Sequence, residues 1–411
     1  MRVLVIPHDM QLGGSSINAL DLARAVRERG HDVRVLARGG PLRDRLAAGG
    51  LPIVEAPERM SMRPSPAVLR AVRDAVRRHR IDVVHAYEYW PTLEAYLGAR
   101  GAAVVGSIMS MGSLPPYVPP VTLTLGYGDL HDEVTAQRGT ARSHLLEPPI
   151  DTEWDDRATV DLDAFRTAHD LPAGPPTFAI VSRLARSMKQ ESIERCIDAV
   201  AALDPELPGI RLLVVGGGSA EEDIRRRADK TNADLGRRAV VLTGPLDDPR
   251  AAYACADVVC GMGSSVLRGM ALGAAAVVVG ERGFTEPVRP DTIPVFDRFG
   301  FYGVGDGLDP AADPLPGMLK DLFQDADRRS ELASWSAELV RGRMSLKHQT
   351  DRLLKCYEAA IADRRPFAER GRERATALGH LVAYKGSELR RARRLKAART
   401  RTPGEGAAGH G

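Results

Sequence analysis

The chain has 411 residues, 44% of them apolar and 27% charged, enough for two ordinary cores and too well mixed for wholesale disorder. It has no apolar run of about 18 residues, the length a membrane-spanning helix needs, and its four cysteines, none in a CxxC pair, argue against a disulfide framework or a zinc site. The net charge of +3 is uneven: residues 361–411 carry 13 Lys/Arg against 5 Asp/Glu, so the body before them is mildly acidic and is not expected to bind nucleic acid.

Arg2–Ile6 reads as a buried strand that starts at once, without the basic region and long apolar run of a secretory leader, so a cytoplasmic location is expected. The turn Gly13-Gly14-Ser15-Ser16 leads into a helix over Ile17–Arg29, with Ile17, Leu20, Ala23 and Val26 at helical spacing. Asp32–Ala37, Pro52–Ala56, Asp82–Ala86, Ala102–Ile108 and Val121–Leu125 follow as strands, with the clearest intervening helix at Pro66–His79. This alternation predicts an α/β domain over residues 1–150, a parallel sheet with helices on both faces. Residues 151–176, acidic and interrupted by Pro172, Pro175 and Pro176, read as a linker.

A second alternation fills residues 177–340. Its strands are Thr177–Val181, Leu212–Val215, Ala239–Leu242, Asp257–Cys260 and Ala275–Val279; its helices are Glu191–Leu203, Ala220–Ala233, Asp248–Cys255 and Ser264–Leu272. Two doubly wound halves place a ligand in the cleft between them, at the carboxyl ends of the strands. Residues 341–361 read as a last helix and 362–411 as a basic, partly disordered tail ending in the glycine-rich Gly404–Gly411.

Several strand ends carry residues suited to phosphate. Gly13-Gly14 removes two side chains at the start of a helix, where backbone N–H groups point outward, although a plain tight turn uses the same residues. Arg183 and Lys189 follow the first strand of the second half, where two cations suit a diphosphate. Gly216-Gly217-Gly218 opens another helix. Gly263-Ser264-Ser265 is the better candidate, because it follows a strand directly and would aim the first amides of the next helix along the positive end of its dipole; Ser264 could equally serve as an N-cap. His85 ends a strand beside Glu88 and could carry a proton, or could be a satisfied structural histidine. Asp161-Leu162-Asp163 has the form of a metal motif but lies in the linker and reads as surface charge; no metal site is expected.

In order and spacing, Gly13-Gly14, Asp82–His85, Pro148–Thr152, Ser182–Leu184 with Lys189, Gly216–Gly218, Thr243-Gly244 and Gly261–Gly273 resemble the motifs of family-4 retaining glycosyltransferases over roughly residues 1–360. The resemblance implies the GT-B architecture, two Rossmann-like domains facing a cleft, with C-terminal helices crossing back onto the first domain. It implies a nucleotide-diphospho-sugar donor held mainly by the second domain, a hydroxyl acceptor held mainly by the first, and no metal or other cofactor. Arg183 and Lys189 would contact the diphosphate and the amides at Gly263–Val266 would hold the phosphates, while Gly217, Thr243 and Gly244 would lie near ribose and base. Glu286 matches a glutamate common in the family.

Two departures stand out. The family's paired glutamates fall on Cys260 and Arg268, and an arginine has no acceptor for ribose hydroxyls but could donate to phosphate. Glu281 or Glu286 could stand in for the first of the pair. The histidine the family often has at the end of its fifth strand is absent from Ser107-Ile108-Met109-Ser110. Three readings therefore stand: an active transferase, a sugar-nucleotide epimerase of GT-B-like fold, and a degenerate domain that binds without turnover. The basic tail suits an anionic membrane and a lipid-linked acceptor, and with only Phe367 and Tyr384 as aromatics it does not suit nucleic acid.

Overall fold

In the computed structural model, which describes residues 1–57, 63–309, 312–363 and 367–399, the chain forms two α/β domains facing each other. The first domain holds a seven-stranded, all-parallel sheet of β1 (Arg2–Ile6), β2 (Asp32–Ala37), β3 (Ile53–Glu55), β4 (Val83–Tyr87), β5 (Ala103–Ile108), β6 (Thr122–Leu125) and β7 (Ser143–Leu145). The second holds β8 (Thr177–Val181), β9 (Arg211–Val215), β10 (Val240–Gly244), β11 (Val258–Gly261), β12 (Ala275–Val279) and β13 (Thr285–Pro287). Their orders are β3-β2-β1-β4-β5-β6-β7 and β10-β9-β8-β11-β12-β13, with only β13 antiparallel. In each sheet the order reverses between two central strands, β1 and β4 in one, β8 and β11 in the other. The crevices that bind ligands in such folds open at the carboxyl ends of those strands.

The central strands are continuous apolar runs because helices cover both faces of each sheet. The linker has structure of its own: Asp161 accepts from the Ala164 amide and so caps the helix Leu162–His169, which gives that acidic stretch a capping role. After a π-helical turn at Val340–Met344, the helix Leu346–Ala362 returns to the first domain, where Leu353, Tyr357 and Ala360 join the core that contains Val3, Leu20 and Val83. Its entry is fixed by backbone bonds from the Ile150 amide to the Met344 carbonyl (2.8 Å) and from the Leu346 amide to the Ile150 carbonyl (2.7 Å). Arg343 adds a buried-side pair with Glu147 (2.7 Å) and one with Asp297 (2.6 Å), joining both domains at the crossover.

The described part of the tail is helical. Residues Phe367–Arg399 form a single 33-residue helix. It seats Ala377 and Leu381 in the first domain, sets Tyr384 edge-on to Tyr117 (5.0 Å) and lays the Lys385 ammonium over the Trp90 ring (5.6 Å). Sparse small and apolar residues at helical spacing were enough for a partner surface to order it. Gly404–Gly411 lies outside the described residues.

A phosphate-suited crevice and its partner across the cleft

Three loops at the carboxyl edge of the second sheet are laced together by main-chain bonds. Ser182 donates to the Val215 carbonyl (2.9 Å), Leu184 to the Gly217 carbonyl (3.0 Å), Gly216 to the Gly244 carbonyl (3.0 Å) and Ala220 to the Leu184 carbonyl (2.7 Å). Gly218 has a φ of +153°, and a Cβ there would meet the Leu184 carbonyl oxygen at 2.6 Å, so the lacing requires glycine. Gly217 packs against Pro245, which follows Thr243 and Gly244. The sequence-predicted residues Arg183, Gly217, Thr243 and Gly244 are thus held in one rigid rim.

Beside that rim, Gly263 adopts a φ of +67° as it turns β11 into the helix Ser264–Ala271. The first amides of this helix, at Ser264 and Ser265, have no intrahelical acceptor by position. The Val266 amide differs from the sequence expectation, since it turns back to the Gly263 carbonyl (3.1 Å). The Ser265 side chain is also committed to the fold, donating to the Val181 carbonyl (2.5 Å) and accepting from the Tyr253 hydroxyl (3.1 Å). Across the cleft, a Cβ on Gly14 would lie 3.9 Å from the Ser264 hydroxyl oxygen, so the two glycine turns face each other at van der Waals range.

Lys189 stands just before the helix Gln190–Leu203, and its ammonium lies 5.9 Å from the Tyr302 ring centre. Burial lowers its pKa to about 8; the nearby Arg183 charge adds to this and Glu281 opposes it. Tyr302 donates to Glu281 (2.6 Å), and burial together with that carboxylate raises the phenol's pKa. The Gly263 amide bonds to the Phe301 carbonyl, which ties this group to the glycine turn. Glu191 accepts from the amides of Arg282 (2.9 Å) and Gly283 (2.7 Å) and so fixes the loop that carries Glu281. Tyr302 had no signal in the sequence, because it reaches the site from a loop well past the last recognisable motif. Glu286 lies apart on the edge strand β13, opposite Val278, with Arg289 at 4.0 Å, and burial raises its carboxyl pKa.

Two expected site residues do something else. His85 is 0% exposed; its ring nitrogens bond the Tyr357 hydroxyl (2.8 Å) and the Ser107 hydroxyl (2.7 Å), and burial lowers its pKa to about 3. A neutral imidazole sealed beneath the crossover helix cannot exchange protons with a substrate, so it is not a catalytic group. Arg268 does not reach toward phosphate. It makes a bidentate pair with Asp155 (2.8 and 2.7 Å), a linker residue 3% exposed, and although burial opposes its charge, Asp155 outweighs that and raises the pKa.

Two Rossmann-like sheets with facing crevices, one rich in cations and helix-start amides, form the GT-B fold. Residues 12–121 match the sequence family described as Glycosyltransferase Family 4, and residues 175–295 match Glycosyl transferases group 1. A phosphatidyl-myo-inositol mannosyltransferase of Mycobacterium tuberculosis H37Rv is 28% identical over 326 residues, 71% of this chain and 83% of that protein. Among solved structures, a glycosyltransferase from Rickettsia africae superposes with a TM-score of 0.69 at 14% identity, covering 88% of this chain and 99% of that one. Anabaena HepE in complex with UDP gives 0.65 at 15%, covering 87% and 100%. The chain belongs to the family-4 glycosyltransferases of GT-B fold.

Proposed function

We propose that this glycosyltransferase moves a sugar from a nucleotide-diphospho-sugar to a hydroxyl acceptor with retention and without a metal. The observation that carries the proposal is the convergence of Arg183, Lys189 and the Ser264–Ser265 amides at the second domain's switch point, opposite Gly14. As the bond from the anomeric carbon to the diphosphate oxygen breaks, negative charge grows on the leaving group where those donors converge. The acceptor oxygen bonds to the anomeric carbon, and its proton passes to a departing phosphate oxygen. Glu281, steadied by Tyr302, takes the place of the family carboxylate missing at Cys260 and accepts from sugar hydroxyls.

Calorimetric titration with UDP, GDP and dTDP tests the donor site: micromolar binding of one nucleotide, lost in Arg183→Ala, is expected. Following the product's anomeric configuration by NMR tests retention, and an inverted product overturns it. A second reading, binding without turnover, is favoured by the Arg268–Asp155 pair, which leaves no acceptor for ribose at position 268. Donor binding with neither transfer nor hydrolysis would establish it.

The acceptor we propose is lipid-linked, met at an anionic membrane. The mycobacterial relative's name specifies a phosphatidyl-myo-inositol acceptor. The last helix here exposes Val382 (72%) and Leu389 (62%) beside a sequence rich in arginine. Among the described residues no helix is long and apolar enough to cross a membrane. Deleting the tail would strip a packed helix, so Arg390, Arg391, Arg393 and Arg394 should be changed together to Gln. Release from vesicles containing phosphatidylserine is expected, and undiminished binding counts against the membrane reading.

A further inference from the structure

Glu88, the residue after β4, adopts φ +70° and ψ 170°, a region that non-glycine residues essentially avoid. Glycine would take this conformation freely, so the side chain must return something for the strain. It is 4% exposed, yet all its capacity as an acceptor is used. One carboxylate oxygen accepts from the Ser15 hydroxyl (3.0 Å) and the Met109 amide (3.2 Å); the other accepts from the Ser110 amide (3.3 Å) and the Ser110 hydroxyl (2.6 Å). Its own backbone is pinned as well, the amide to the Ser107 carbonyl (2.8 Å) and the carbonyl to the Thr92 amide (3.1 Å).

Those donors come from two different strand ends. Ser15 follows Gly14, the turn that faces Ser264 across the cleft. Met109 and Ser110 begin the connection from β5 to β6, whose later residues are held by the Tyr127 hydroxyl at the Gly112 amide (2.9 Å) and by the last helix at Tyr117. We infer that Glu88 is a positioning residue: its carboxylate clamps the first turn of the helix Gly14–Glu28, which follows β1, and the connection after β5 into one wall of the cleft, and so sets the distance between the first domain's glycine turn and the helix Ser264–Ala271 of the second. The strained backbone is what turns the carboxylate inward between the two loops. The inference rests on the proposed donor site only for its effect on nucleotide affinity; the clamp itself stands without it.

The test combines amide hydrogen exchange with nucleotide titration. Glu88→Gln replaces one acceptor oxygen with a donor, which opposes either Ser110 or Met109. Exchange at residues 109–112 should rise about tenfold or more, the loss of one good hydrogen bond, and affinity for UDP or GDP, whichever the wild type binds, should fall about three- to tenfold. Ser15→Ala should lower nucleotide affinity and leave exchange at 109–112 alone, and Ser110→Ala should do the reverse. These single-spoke variants decide the matter if Glu88→Gln does not fold. Unchanged exchange in Glu88→Gln, or equal effects of both serine variants on both readouts, overturns the clamp. If the wild type binds no nucleotide, the donor-site proposal fails and the exchange pattern alone still judges Glu88.

Discussion

The two switch points have the same topology and opposite chemistry. At β8 and β11 the strand ends present Arg183, Lys189 and helix-start amides on loops stitched by main-chain bonds. At β1 and β4 the matching place is occupied by a carboxylate whose bonds all run to its own domain. The difference is one of charge: the second crevice gathers cations and free helix-start amides, which suits an anion, whereas the first is built around a carboxylate already saturated by its own domain. Between them, the Arg268–Asp155 pair binds the linker to the phosphate helix.

That intervening pair is where the comparison breaks most readily. Arg268→Glu would restore a family-like glutamate in sequence and place it against the buried Asp155. Removing one partner of a buried pair costs about 3–5 kcal/mol, and a second carboxylate adds repulsion. A fall of that size in chemical-denaturation stability is expected. Changing both residues to apolar ones should recover most of it; if Arg268→Glu alone proves neutral, the pair is not holding the linker.

Next in size is Arg183→Ala. With the fold intact, turnover should drop about 100-fold or more, the usual loss when one preorganised donor to a developing anion is removed. Thermal stability should hold, since Arg183 is exposed. A drop of less than threefold would move the diphosphate away from this rim.

Most strand positions and the glycine turns were legible because apolar runs and glycine are dictated locally. The Gly216–Gly218 and Gly263 turns serve where their sequence placed them, since positive φ and close main-chain approach leave few alternatives. Side-chain destinations were not legible. His85 and Arg268 occupy motif positions yet point to Tyr357 and Asp155, partners 272 and 113 residues away. Tyr302 and Glu88 carry no motif; the one weak hint was a glutamate at a strand end. The tail helix was hidden by its own composition, because its order comes from Tyr117, Trp90 and neighbouring surface on the first domain.

A smaller effect sharpens the account of the cationic side. If the Lys189 ammonium binds the diphosphate, kcat/KM for donor should fall as pH rises through about 8, where the free enzyme loses that charge. Glu281→Gln removes the carboxylate that opposes this shift, so the falling limb should move to lower pH. It should also lower affinity for a nucleotide sugar while sparing the bare nucleotide. A limb that stays put would separate Glu281 from Lys189.

The least effect on turnover is expected at His85. Its imidazole is neutral at working pH, so His85→Asn should leave the pH profile of kcat/KM between 5 and 7 unchanged. Stability should respond instead. Because the folded pKa is about 3, below the ordinary histidine value near 6.5, the unfolded chain binds the extra proton as pH falls through that interval. The neutral histidine therefore contributes stability that is present above about pH 6.5 and is lost progressively toward pH 3. His85→Asn should be less stable than wild type at pH 7, having given up buried hydrogen bonds to Tyr357 and Ser107, and should lose less on acidification. Denaturation at pH 7 and pH 4.5 measures both. Parallel losses in the two proteins would show that the imidazole is not sealed, and would reopen His85 as a group within reach of substrate.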